Sequence, residues 1–133
     1  MIYALDSNIV SYMLKEDAYV IARYRQTFDE GGNFVIPPVV FYEIQRGLLA
    51  KNLRKRLDKF EALCRKTGQI EFNSLVWQKA ALIYASLHWQ GRTIDDADIL
   101  IAAFCLENGY TLVTNNTKDF ENIDGLQIED WTV

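Results

Sequence analysis

Short apolar runs alternate with longer helical patterns from one end of the chain to the other, and no two runs are joined by a hairpin signal. Ile2 to Leu5 is the first run, stopped by Asp6-Ser7-Asn8, residues that favour turns and helix caps. Phe34 to Ile36, Gln69 to Phe72, Thr111 to Thr114 and a short stretch around Gln127 to Glu129 follow as further strand candidates. Between them, Ala18 to Asp29 carries Ile21, Tyr24 and Phe28 at helical spacing and ends at Gly31-Gly32. Pro37-Pro38 introduces a helix with Val40, Ile44 and Leu48 along one face. Leu53, Leu57, Phe60, Leu63 and Cys64 continue the helical stripe toward Gly68. Asn73-Ser74 caps a helix running to Gln90, and another starts at Thr93 or Asp95 and ends at Asn108-Gly109. Parallel strands need crossovers of this kind. The alternation therefore predicts an α/β chain: a single domain over residues 1–133, a three-layer α/β/α sandwich around a parallel sheet of four to five strands.

A chain of 133 residues buries a core without disulfides or structural metal. Cys64 and Cys105 match no zinc or redox spacing and read as reduced core thiols. No apolar run approaches the ~20 residues of a membrane-spanning helix. The opening MIYALDSN lacks a basic stretch followed by an apolar one, so no secretory signal is expected and the expected location is cytoplasmic.

The net charge of −4 argues against a nucleic-acid partner until its distribution is considered. Lys51, Arg54, Lys55, Arg56, Lys59, Arg65 and Lys66 are half of the 14 basic residues, packed into one segment. From Asp95 onward there are nine acidic residues and only Lys118 against them. The basic segment has two readings: a solvated helix face, or a phosphate-contacting arm that places Lys51, Arg54, Lys55, Arg56 and Lys59 on RNA.

In an open α/β sheet, ligands bind beyond the carboxyl ends of the strands. Asp6 directly follows the first strand, where it is either a helix N-cap or a site residue. Asp98 opens Asp98-Ile99-Leu100-Ile101-Ala102-Ala103-Phe104-Cys105-Leu106, a helix apolar all round and hence buried. A carboxylate in its first turn is either the N3 partner of an Asp95 capping box or functional. Glu43 lies in the second turn after Pro37-Pro38, one turn before Gly47. A helix-interior Gly costs ~1 kcal/mol relative to Ala, and close approach of another group beside Glu43 is a candidate reason for it. Asp119 follows the fourth strand through a polar stretch, where a turn role competes with a site role.

Carboxylates gathered at one rim repel each other and shift each other's pKa upward. Such a cluster persists when a hard divalent cation sits among its oxygens, and Mg²⁺ or Mn²⁺ suits few carboxylates with several waters. Those cations activate water and stabilise charge at a phosphodiester, so the cluster points to a metal-dependent nuclease. The only histidine, His88, lies on the stripe Trp77-Ala81-Tyr84-His88 and reads as a helix-face residue, leaving little room for a Ser-His-Asp or Cys-His system. No Gly-rich phosphate loop is present.

At these residues the sequence resembles the PIN-domain family, in particular the VapC-type toxin ribonucleases of bacterial toxin–antitoxin pairs. The likeness runs through Leu5-Asp6-Ser7-Asn8-Ile9, Glu43-Ile44-Gln45-Arg46-Gly47 and Asp98-Ile99-Leu100-Ile101-Ala102-Ala103. It continues through Thr111-Leu112-Val113-Thr114-Asn115-Asn116, Lys118-Asp119-Phe120, Gly125-Leu126 and Glu129-Asp130-Trp131. The resemblance implies a PIN-like α/β/α sandwich and a Mg²⁺- or Mn²⁺-dependent endoribonuclease that cuts single-stranded loops of a structured tRNA or rRNA. It implies Asp6, Glu43 and Asp98 as metal-binding, catalytic acids, with Asn8, Thr114 and Asn115 supporting the acids or the scissile phosphate. Many relatives carry a fourth acid after the fourth strand, sometimes where this chain has Asn116. Here the nearest acid is Asp119, a departure that leaves a second metal open. The resemblance further implies a homodimer and a cognate antitoxin that inserts a segment, often carrying Arg, into the acidic site; a guanidinium pairs well with carboxylates.

Two alternatives stand beside this reading. A receiver-type signalling domain shares the alternation and an acidic Mg²⁺ pocket, but it needs an Asp after the third strand, and none lies between Asp58 and Asp95. A PIN-like scaffold that only binds RNA or protein is the other, set against the presence of all three acids.

Overall fold

The computed structural model describes residues 1–68 and 71–133. Four strands, β1 (Ile2–Leu5), β2 (Asn33–Val35), β3 (Thr111–Val113) and β4 (Ile128–Glu129), form one sheet in the order β2-β1-β3-β4. Every pairing is parallel, with Tyr3 opposite Phe34 on one side and Thr111 on the other. All three residues of β3 are buried, as are Ala4 and Leu5 of β1. Successive strand residues point to opposite faces, so both faces of the sheet centre are covered. The result is the α/β/α sandwich that the alternation predicts.

The covering elements are α1 (Ser7–Leu14), α2 (Ala18–Asp29), α3 (Pro38–Ala50), α4 (Arg54–Lys66), α5 (Ser74–Trp89), α6 (Asp96–Asn108) and the single turn α7 (Thr117–Phe120). Their ends follow local chemistry. Asp17 and Asn73 cap α2 and α5 by accepting from the amides of Val20 and Val76. Pro38 occupies the first turn of α3, where its missing N–H is no loss. Gly109 ends α6 at φ 71°, a left-handed cap that side chains disfavour. Ile99 and Ile101 to Cys105 are buried, as an all-apolar helix requires.

Three expectations change. The stripe from Val40 to Cys64 is not one continuous helix: Lys51 to Leu53 break it, with Asn52 at φ 54°. Asn tolerates that conformation, and the break folds α4 back against α3. The strand expected over Gln69 to Phe72 falls partly outside the described residues, which exclude Gln69 and Ile70. Its flanks are described: Gly68 bridges Val35 in parallel, and Glu71 and Phe72 are not strand. Phe72 packs instead on the rings of Trp77 and Phe104. The sheet of described residues therefore has four strands. Finally, the polar stretch after β3 closes into α7 rather than remaining a loop.

The chain passes from β1 outward to β2, then returns across β1 to β3. The carboxyl ends of β1 and β3 thus flank the point where the direction of winding reverses, the place where open α/β sheets bind ligands.

Candidate active site

Asp6 and Thr114 are the first residues past the paired ends of β1 and β3. The Asp6 amide extends the ladder by donating to the Val113 carbonyl at 3.0 Å, and the Thr114 amide donates to the Glu129 carbonyl at 3.0 Å. The two side chains therefore inherit the rigidity of the sheet. The Thr114 hydroxyl donates to Asp6 Oδ2 at 2.8 Å, and Asn8 Nδ2 donates to the same oxygen at 3.2 Å. Asp6 Oδ1 accepts from the Ser7 amide at 2.7 Å, so the capping and site roles coexist in one residue. Burial raises the Asp6 pKa, the bonds from Thr114, Ser7 and Asn8 oppose that rise, and Glu43 adds to it.

Asn8 also ties the other side of the rim. Its Oδ1 accepts the Asn115 amide at 3.1 Å, and Asn115 Nδ2 donates to the Tyr12 hydroxyl at 3.3 Å. Asn115 Oδ1 is buried with no protein partner among the described residues. Asn116 is the N-cap of α7, and its amide donates to the Thr114 hydroxyl at 3.0 Å. Glu43 arrives from α3, where Ser7 Oγ donates to its Oε1 at 2.9 Å.

Asp98 stands in the first turn of α6. Asp95 is the N-cap there but makes no side-chain capping bond, so the capping box does not form. Every influence on Asp98 has one sign: burial first, then Asp6, Asp119, Asp95 and Glu43, together raising its pKa to about 6. Asp98 thus senses all four other acids of the rim. Asp119, exposed on α7, is the second strongest of those charges.

Among the described residues, no three His, Cys, Asp or Glu side chains form a ready-made metal cage. The donors at the rim are oxygens that share a field while standing apart. That arrangement suits a hard cation that keeps several waters, as Mg²⁺ does, and not Zn²⁺, which takes nitrogen and sulfur donors in a closed tetrahedron. His88 is exposed and stacked on Tyr84, and Cys105 is a buried free thiol whose pKa is pushed up by burial.

The family profile of the PIN domain matches residues 3–126. The chain belongs to the PIN-domain family. The PIN domain is 29% identical over 133 residues to "Ribonuclease VapC1" of Haemophilus influenzae strain R2866, covering 99% of each. It is 29% identical over 132 residues to the "tRNA(fMet)-specific endonuclease VapC" of Shigella flexneri, covering 98% of each. Its fold superimposes on a chain of the Rickettsia felis VapBC2 structure, solved with a promoter DNA fragment, at a TM-score of 0.90. That pair shares 27% identity over 98% of this chain and 99% of the other.

Sequence reasoning missed two parts of the candidate site. Ser7 holds Glu43, and Tyr12 holds Asn115. Ser7 lay in plain view beside Asp6, but its partner is 36 residues away, a distance no local pattern reports. Tyr12 could have been found one helical turn after Asn8, on the same face. The basic segment divides. Lys51 and Arg56 line a cleft that also holds Glu43, whereas Lys59 pairs with Glu16 at 2.7 Å, and Arg54 and Lys55 are exposed on α4. The close approach expected at Gly47 is absent: a Cβ there would meet nothing within 4 Å.

Proposed function

We propose that this PIN domain is a Mg²⁺- or Mn²⁺-dependent endoribonuclease, the toxin of a toxin–antitoxin pair, cutting single-stranded loops of a structured tRNA or rRNA. The observation that carries the reading is the gathering of Asp6, Glu43 and Asp119 around a half-buried Asp98, whose pKa burial first and then these charges raise to about 6. Full-length relatives named as ribonucleases, one of them tRNA-specific, support the substrate class.

Asp6 and Asp98 would hold the cation, with Glu43 completing its shell or orienting the attacking water. Bound there, the cation supplies a lowered pKa for water and neutralises charge at the phosphodiester. Asp6 is pre-aimed, because Thr114, Asn8 and the Ser7 amide fix both of its oxygens. Glu43 is held at Oε1 by Ser7, which would leave its second oxygen for a water or its proton. Asn115, whose buried acceptor has no protein partner among the described residues, would hold a water there.

The partner protein would be an antitoxin that neutralises the acids with an inserted Arg, a pairing favoured by the bidentate match of guanidinium and carboxylate. The VapBC structure that this chain resembles supports such a partner. A homodimer is supported by α5, which exposes Leu75, Trp77, Leu82, Tyr84 and Trp89. No described helix is long and apolar enough to cross a membrane.

The test incubates the purified chain and its Asp98→Asn variant with RNA in Mg²⁺ and in EDTA. Cleavage by the parent in Mg²⁺ alone, lost in the folded variant, is expected. Equal cleavage in EDTA, or a fully active variant, overturns the reading. Inducing the chain alone in cells and mapping RNA ends would then identify the cut site.

A further inference from the structure

Behind Glu43, away from the strand ends, lies a cleft of about 210 Å³ between α1, α3 and the start of α4. Its rim carries Lys15 from the end of α1, Lys51 from the end of α3 and Arg56 from the first turn of α4. Its floor includes Ile44 and Leu48, both buried. A merely solvated basic run would lie along one helix. Here three cations from three elements border one depression, and the break at Asn52 is what folds Lys51 and Arg56 to the same side. Neither they nor Lys15 forms an ion pair among the described residues, whereas Lys59 of the same basic segment is tied to Glu16.

Gly47 lines this cleft. Inside a helix it costs ~1 kcal/mol relative to Ala. Packing does not demand it, since an added Cβ would meet nothing within 4 Å. Its consequence is open space between the Glu43 side chain and the cationic rim.

We infer that the cleft is a nucleotide subsite for the RNA strand next to the scissile phosphate, with the neighbouring phosphate among Lys15, Lys51 and Arg56 and its sugar over Ile44 and Leu48. This rests on the nuclease reading of the adjacent acids. Glu43 is the hinge between the two regions, one oxygen bound by Ser7 on the acidic side and its side chain forming the cleft wall. A strand crossing it would pass from a carboxylate site that requires a cation to a site that supplies its own positive charge. Charge complementarity favours a phosphodiester here over an antitoxin segment carrying Arg.

The experiment measures binding of a labelled single-stranded RNA oligonucleotide in EDTA across a salt series. Lys51→Ala/Arg56→Ala should weaken binding roughly tenfold at low salt and flatten the log–log salt slope by about 1.4, near 0.7 per lost contact. Gly47→Leu should raise the Tm while weakening RNA binding and raising KM, a combination that a purely structural role for Gly47 does not produce. Lys79→Ala, on α5, should leave the slope unchanged. An unchanged slope in the double variant overturns the subsite. So does intact RNA binding with loss of binding to the cognate antitoxin, which would make the cleft a protein groove. RNA held through the cleft but never cut in Mg²⁺ or Mn²⁺ supports the cleft and overturns the nuclease reading. Normal cleavage with an unchanged KM in Gly47→Leu overturns the cleft alone.

Discussion

The Thr114 hydroxyl donates to Asp6 Oδ2 at 2.8 Å while accepting the Asn116 amide at 3.0 Å, joining the first strand, the third strand and the start of α7 at one oxygen. Thr114 is fully buried and Asp6 nearly so. A buried carboxylate without such donors would hold its proton and lose its use as a metal ligand. The bond therefore keeps Asp6 ionisable inside the protein.

Thr114→Val removes that hydroxyl with little change of shape. It leaves Asp6 Oδ2 with Asn8 as its side-chain donor and the Asn116 amide without its acceptor. Loss of a buried bond to a charged group predicts destabilisation of about 2 kcal/mol in chemical denaturation. Weaker Mn²⁺ binding should accompany it, because the Asp6 pKa rises further. A variant of parental stability and metal affinity would show that Thr114 does not support Asp6.

Asp98 yields a pH dependence with a defined sign. Its folded pKa of about 6 lies above the roughly 3.9 of an unfolded Asp. The folded state therefore binds the proton more tightly, and the contribution of Asp98 to stability is lost as pH rises from about 4 through about 6. Above that window the ionised, half-buried carboxylate destabilises the metal-free protein. Asp98→Asn should thus raise the unfolding free energy of the metal-free protein at pH 8 by roughly 1 kcal/mol once solvent screening is allowed for, and the gain should vanish near pH 4. If Asp98 holds the proposed cation, the same proton would compete with it, so Mn²⁺ should stabilise the parent more at pH 8 than at pH 5. A metal-free variant no more stable than the parent at pH 8 would contradict the strain assigned to Asp98.

How much of this was legible beforehand follows from how local each signal is. Ile2 to Leu5 followed by Asp6 reads as a strand end because an apolar run stops at residues that cap helices. The all-apolar stretch after Asp98 reads as a buried helix for the same kind of reason. The break at Asn52 did not show, because no Gly or Pro marks it and the apolar stripe continues through Leu53. The short α7 was hidden in a polar stretch whose residues serve loops and single turns alike. Long-range pairings such as Ser7 with Glu43 have no sequence signature, and the division of the basic segment depends on a helix reversal visible only in three dimensions.

Ser7 separates positioning from folding. Its backbone amide serves Asp6, while its hydroxyl, among the described residues, serves Glu43. Ser7→Ala removes the second bond and leaves the first. Stability should change by no more than about 1 kcal/mol, the usual net value of one such bond. The cleavage rate should fall roughly tenfold with KM little altered, as expected for a residue that orients a catalytic group. Ser7→Thr, which keeps the hydroxyl, should recover much of the rate. Full activity in Ser7→Ala would mean that Glu43 needs no fixing, or is not used.

The outer face of α5 predicts an oligomeric state. Val76, Ala80, Ile83 and Leu87 face the core, yet Leu82 is 66% and Trp89 81% exposed on the other side. At 100° per residue, Gln78 and Ala85 lie opposite that core stripe, with Trp89, Leu82 and Leu75 to one side and Ala81, Trp77 and Tyr84 to the other. The five large side chains expose on the order of 700 Å², close to the ~800 Å² per partner of a standard interface. In a two-fold dimer each patch faces its own copy, so a nearly uncharged patch on a chain of net charge −4 is self-compatible where most of the surface is not. Leu82→Glu would place a carboxylate in both copies of the interface and desolvate the pair. The parent should sediment as a dimer, and Leu82→Glu as a monomer whose secondary structure is unchanged, since the monomer leaves position 82 in water. A parent that stays monomeric at all accessible concentrations would leave this face to a different protein partner.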